Sequence, residues 1–172
     1  MNSIKITSGI YKNRRLSTPG EGTHPMGERE RLALFNMLGG HLEGTLVLDA
    51  FSGSGALGIE ALSRGANKVI FVEKNPKASR IIRQNLSGIE ANGEIITSSI
   101  RSYTSETKFD IILADPPYDN FDLNEIETLS DFVKEGGILA LSHPGNAPEI
   151  PGMELLKTRQ YAAAHISIYI KH

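Results

Sequence analysis

The chain contains no cysteine. That absence excludes a disulfide framework, a thiolate-ligated zinc or iron–sulfur site and a thiolate nucleophile. The opening MNSIKITSGIYKNRR has no apolar segment, and no run of about 18 apolar residues occurs anywhere in the chain. A soluble, intracellular protein is expected, cytoplasmic and without a membrane partner. No repeat or low-complexity tract interrupts the 172 residues. Hydrophobic residues make up 40% and charged residues 22%, enough to bury a core in one domain with a small appendage.

An excess of positive charge is also lacking, since the net charge is −2. The charge is unevenly spread, however. Residues 1–31 carry six Lys/Arg against three acids, and residues 64–101 carry seven against three. Residues 102–172 carry five against eleven. This asymmetry points to an anionic partner near the N-terminal half. A merely solvated face would show the same pattern.

The order of elements is legible from hydrophobic spacing. Ile4 to Leu16 reads as a short hairpin or extended arm ending in a basic run, followed by a loop from Ser17 to Gly27. Glu28 to Leu38 has helical periodicity closed by Gly39-Gly40. Strands are expected at 45–49, 68–73, 94–97, 109–114 and 137–142, with two more at 154–157 and 162–170. Helices are expected at 56–64, from Asn75-Pro76 onward with a cap residue and an N1 proline, and at 123–133. Strands alternating with helices imply an α/β doubly wound, mostly parallel sheet, closed by an antiparallel C-terminal strand pair.

Gly53-Ser54-Gly55-Ala56-Leu57-Gly58 follows a strand and opens a helix. Alone, with Glu73 ending the next strand, it would suggest a nicotinamide dinucleotide on the helix N-terminus. Asp49-Ala50-Phe51-Ser52 intervenes, and a carboxylate at the strand end would repel a pyrophosphate. It would instead welcome the sulfonium and ammonium of S-adenosylmethionine, while Glu73 holds ribose hydroxyls. A cap at Asp49 and a packed glycine turn are the bland alternative.

Downstream, Phe109 to Ala114 leads into Asp115-Pro116-Pro117-Tyr118. Prolines at a strand end lack donors and hold the backbone. Asp115 and the Pro116 carbonyl then offer two acceptors for the two hydrogens of an exocyclic amine, and Tyr118 offers a ring on which its base can stack.

The run VLDAFSGSGALG, VIFVEKN, FDIILADPPY resembles the amino-methyltransferases, whose fold is the Rossmann-like class I methyltransferase fold. IKITSGIYKNRRL, HPMGERERLALFNML and YAAAHISIY are similar to the RsmD family, bacterial methyltransferases of guanine N2 in 16S ribosomal RNA. The resemblance covers nearly the whole chain. It implies that Asp49, Phe51, Gly53, Gly55, Glu73, Ser99 and Asp115 hold S-adenosylmethionine, with S-adenosylhomocysteine as product and no metal. It further implies Asp115, Pro116 and Tyr118 as the catalytic set. Residues 1–40 become a basic arm and helix in which Lys12, Arg14, Arg15, His24, Arg29 and Arg31 contact RNA, and 41–172 the methyltransferase domain. The expected partner is ribosomal RNA or an assembling small subunit, and the expected state a monomer.

Three departures from the family pattern are visible. His24-Pro25-Met26 stands for Arg-Pro-Thr, Arg31-Leu32 for Arg-Glu, and Ser99 for an Asp or Asn beside the adenine. The lack of cysteine excludes cytosine-C5 and radical methylases. The alternatives are an adenine-N6 methyltransferase on DNA or RNA, for which 172 residues leave little room for a recognition insert, and a non-catalytic binding module. His24 sits among the basic residues of the arm, while His41, His143, His165 and His172 show no ligand spacing.

Overall fold

The computed structural model describes residues 2–20, 25–39, 42–162 and 164–172. Two short strands, β1 (Ser3–Lys5) and β2 (Arg15–Ser17), pair antiparallel as the expected hairpin. Helix α1 (Glu28–Met37) follows. The chain then alternates β3 (Leu46–Asp49), α2 (Ala56–Ser63), β4 (Lys68–Glu73), α3 (Pro76–Gly88), β5 (Glu94–Thr97) and β6 (Phe109–Ala114). It finishes with α4 (Leu123–Leu129), β7 (Val133–His143), β8 (Met153–Tyr161) and β9 (Ala164–Lys171).

The main sheet has the order β5-β4-β3-β6-β7-β9-β8, parallel from β5 to β7 and antiparallel at β9 and β8. The chain winds outward from β3 to β5 and then returns to lay β6 on the other side of β3. That reversal opens a crevice at the carboxyl ends of the central strands, where α/β sheets bind ligands. Strands β3, β4 and β6 are apolar on both faces because a cluster of buried residues covers each side. The first 40 residues contribute Ile6, Leu16, Leu34 and Phe35 to one of those clusters, so they share its core.

Three elements differ in extent from the sequence reading. The helix expected at 123–133 ends at Leu129, a tight turn takes Ser130–Phe132, and Val133 already pairs with Phe109 in the sheet. Ile126, Leu129 and Val133 keep helical spacing, which cannot separate a last turn from a strand entry. Strand β7 thus begins four residues early, and a bulge between the Phe109 and Ile111 pairings absorbs Gly136, whose φ is 73°. Strand β8 is also longer than expected, and nearly all of it is exposed.

The third glycine of the loop has a packing role. A Cβ on Gly58 would lie 2.3 Å from the buried Phe71 ring and 3.0 Å from Asp49 Oδ2. A helical Gly→Ala change ordinarily stabilises by about 0.5–1 kcal/mol. Gly58→Ala should instead destabilise by about 1–3 kcal/mol, the usual cost of overpacking; a denaturation midpoint at or above the parent's would contradict this.

Candidate active site

A cavity of about 920 Å³ opens at the carboxyl ends of β3, β4, β6 and β7. The sheet side supplies Phe51, Gly53, Glu73, Ser99, Asp115 to Asn120 and Ser142 to its lining. The N-terminal segment closes it from above with Pro25, Met26, Gly27 and Glu30, and Tyr161 and Ala162 border it from the β8–β9 turn.

The glycine loop and the two acids are joined by hydrogen bonds. Gly53, at φ 55°, donates its N–H to Glu73 Oε2 at 2.7 Å, and the Asn75 N–H donates to Glu73 Oε1 at 2.8 Å. Each carboxylate oxygen keeps a lone pair for a hydroxyl in the cavity. Asp49 and Gly55 lie behind the lining rather than on it. Asp49 is fully buried, with Oδ2 accepting from the Gly58 N–H at 2.9 Å and Oδ1 without a partner. Burial is the main force pushing its pKa up to about 7; the Gly58 bond opposes it, while the charges of Asp115 and Glu73 add to it. Three carboxylates and an orphaned oxygen suit a positively charged nucleoside and oppose a phosphate. The Ser99 hydroxyl caps the turn at Ile100–Ser102, accepting from the Ser102 N–H at 3.2 Å.

Across the cavity, Asp115 leaves the end of β6. Burial raises its pKa to about 6, and hydrogen bonds from the Ser142 hydroxyl and the Met26 backbone N–H work against that rise. The Tyr118 hydroxyl lies 2.5 Å from Ser142 Oγ. Ser142 therefore holds both the acid and the ring. It stands at the end of β7 beside Asp115 because Ala114 and Leu141 are in register. Pro116 is buried and Pro117 exposed at the mouth.

Sequence reasoning missed Ser142 and Met26. The only hint of Ser142 was that it ends a strand, and its neighbour in the sheet depends on strand order. Met26 acts through its backbone, which leaves no residue signature.

The basic candidates divide. Lys12 and Arg29 are exposed, and their side chains make no hydrogen bond or ion pair among the described residues. Arg14 donates to the Gly88 carbonyl at 2.6 Å and Arg15 to Ser3 Oγ at 2.9 Å, both on the surface. His24 lies outside the described residues. Arg31 differs from the sequence reading, because it borders the cavity but is 1% exposed, with its guanidinium taken up by protein groups. Its guanidinium pairs with Glu60 at 3.3 Å and donates to the carbonyls of Lys5 at 2.6 Å and Met26 at 3.2 Å. Glu60 also accepts from the backbone N–H groups of Thr7 and Ser8 and pairs with Arg64, which stacks over Phe35. Sequence position alone made Arg31 look like its basic neighbours; only packing on α2 shows otherwise. Among the described residues no group of three His, Asp or Glu could hold a metal ion.

The chain resembles known proteins over nearly its whole length. The family described as conserved hypothetical protein 95 matches residues 4–170. The chain is 34% identical to YlbH of Bacillus subtilis, over 98% of this chain and 99% of that protein. It is likewise 34% identical to ribosomal RNA small subunit methyltransferase D of Haemophilus influenzae, over 71% of this chain and 67% of the relative. Among solved structures, the yhhF protein of Escherichia coli superposes with a TM-score of 0.89 at 26% identity, covering 99% of both chains. With its sheet order, its crevice and these relatives, the chain has the class I methyltransferase fold and belongs to the RsmD family, the one described as conserved hypothetical protein 95.

Proposed function

We propose that the chain transfers a methyl group from S-adenosylmethionine to the exocyclic N2 amine of a guanine in small-subunit ribosomal RNA. The observation that carries the reading is the Asp115–Ser142–Tyr118 group facing a carboxylate-rich cavity of nucleoside size. The substrate class is supported by the relative named ribosomal RNA small subunit methyltransferase D.

In this reading Glu73 holds the ribose hydroxyls, Phe51, Gly53 and Ser99 surround the nucleoside, and buried Asp49 supplies negative charge from beneath the loop. S-adenosylmethionine, when bound, supplies an electrophilic methyl group. An aryl amine is a poor nucleophile because its lone pair is shared with the ring. Asp115 accepts one amine hydrogen and the Pro116 carbonyl the other, which localises the lone pair. Tyr118, held by Ser142, stacks the base. A base in this cavity has left its own stack, so an unpaired or opened nucleotide is the target. Lys12, Arg14, Arg15 and Arg29 in residues 1–40 contact the RNA backbone.

The deciding experiment incubates the protein with S-adenosylmethionine and small-subunit RNA or particles lacking the modification, then identifies the product by nucleoside mass spectrometry. N2-methylguanosine is expected; N6-methyladenosine, or no transfer to either substrate, would overturn the proposal.

Cofactor binding gives a second measurement. Glu73→Ala should weaken S-adenosylmethionine by about 1–3 kcal/mol in calorimetry, the range for a charged hydrogen bond left unmade. Ionised Asp49 is the form that attracts a cation, so affinity should rise with pH through about 7. Asp49→Asn should flatten that dependence. An unchanged profile would remove Asp49 from the role.

A further inference from the structure

From Lys74 to Ile89 the chain carries four cations, Lys74, Lys77, Arg80 and Arg83, and no acid. All four are exposed, and none makes an ion pair or side-chain hydrogen bond among the described residues. Lys5, Lys68, Arg101 and Lys134 each pair with a carboxylate, whereas among the described residues Lys12, Arg29, Lys157 and Arg159 stand unpaired singly or two residues apart rather than in a row along one helix. Like charges at helical neighbour positions repel, by a few tenths of a kcal/mol per pair. An unrelieved basic row therefore runs along α3.

The row has one direction and a rigid support. At about 100° per residue, Lys77, Arg80 and Arg83 fall within roughly 120° of arc. The opposite arc buries Ala78, Ile82 and Leu86 in the core. The buried Asn85 amide donates to the carbonyls of Ser17 and Ser54, tying α3 to both β2 and the glycine loop. The helix cannot roll its charges away.

Both ends of the row meet functional surface. Lys74, Asn75 and Ala78 line the cavity at the start of α3. At its far end the Gly88 carbonyl accepts from Arg14 of the hairpin. Thirteen residues span about 20 Å, so the face continues from the cavity mouth to the exposed Lys12, Arg14 and Arg15.

We propose that the exposed face of α3 is a phosphate track. On it Lys77, Arg80 and Arg83 bind the sugar–phosphate backbone of the substrate RNA flanking the nucleotide in the cavity. This rests on the reading that the substrate is RNA. A polyanion is the complementary occupant, and its contacts are independent of base sequence because none of these side chains lies in the cavity.

The test is the triple variant Lys77→Gln/Arg80→Gln/Arg83→Gln in the full chain. Its control is Lys68→Gln/Lys108→Gln/Lys134→Gln, which removes the same charge at the amino ends of β4, β6 and β7, away from the cavity. RNA binding is followed by fluorescence anisotropy against salt, with a small-subunit RNA fragment and a random single strand of equal length. At about 0.7 per phosphate, the α3 variant should lower the salt slope by roughly 2 and weaken both RNAs about tenfold at low salt. Its KM for RNA should rise while kcat and calorimetric affinity for S-adenosylmethionine hold, and the control should match the parent. An unchanged slope, an equal loss in the control, or a loss confined to the fragment would overturn the proposal. So would retained RNA affinity with lost binding to anionic phosphatidylserine vesicles. A parent protein that binds RNA through α3 yet methylates none leaves the track standing and removes the proposed reaction; a parent that binds no RNA removes both.

Discussion

Asp115→Ala should slow methyl transfer by about 10²–10⁴-fold, the scale for losing a positioned acid–base group. The charge that Asp115 relieves develops on the amine only in the transition state, so RNA affinity should change far less. Stability should not fall with it. Burial raises the Asp115 pKa from 3.8 to about 6, which means that the ionised carboxyl is disfavoured in the folded protein. Its penalty grows as pH rises from about 4 to about 6 and is complete above that. Asp115→Asn should therefore fold at least as stably as the parent at neutral pH while remaining slow. The same sign governs the rate. The ionised carboxylate accepts an amine hydrogen far more strongly than the protonated acid, so single-turnover rates of the parent should decline as pH drops below about 6. A full-rate Asp115→Ala enzyme, or a flat profile between about pH 5 and 8, would remove Asp115 from the chemistry.

Glu60→Ala should cost about 3–5 kcal/mol of stability, the range for breaking a buried ion pair by removing one partner. Arg31 and Glu60 are each 1% exposed at the side chain. Without Glu60, Arg31 keeps its charge in the core with only the Lys5 and Met26 carbonyls for partners. The Thr7 and Ser8 N–H groups lose their acceptor as well. Arg31→Met/Glu60→Leu, which removes both charges and retains the volume, should be far milder. Function should follow the same chain of contacts. Arg31 holds the Met26 carbonyl, and the Met26 N–H faces Asp115, so loosening the pair should lower kcat before the protein unfolds. Equilibrium denaturation reads the first effect. A loss below about 1 kcal/mol in Glu60→Ala, or a double variant no better than the single, would show that the pair is not what anchors the segment.

Residue pattern alone reveals the repeating strand–helix order, the glycine loop between Asp49 and α2, Glu73 at a strand end and the Asp-Pro-Pro-Tyr turn. These are local signals: apolar runs of strand length, a glycine turn, an Asn-Pro cap whose side chain does accept from the Lys77 N–H, and prolines that stop β6. Burial depth was not local. Asp49 lies beneath the loop because Gly58 lets α2 approach β3, a contact set by packing against Phe71. Arg29 and Arg31, two residues apart on α1, have opposite fates because helical rotation turns one to solvent and the other onto Glu60. Ser142 joined the site only when β7 was laid beside β6, 27 residues after Asp115 in the chain. Hydrophobic period tells which face of an element is buried. It does not tell what that face is buried against, and the neighbours brought by the sheet order decide which charged groups are paired, which are exposed and which reach the cavity.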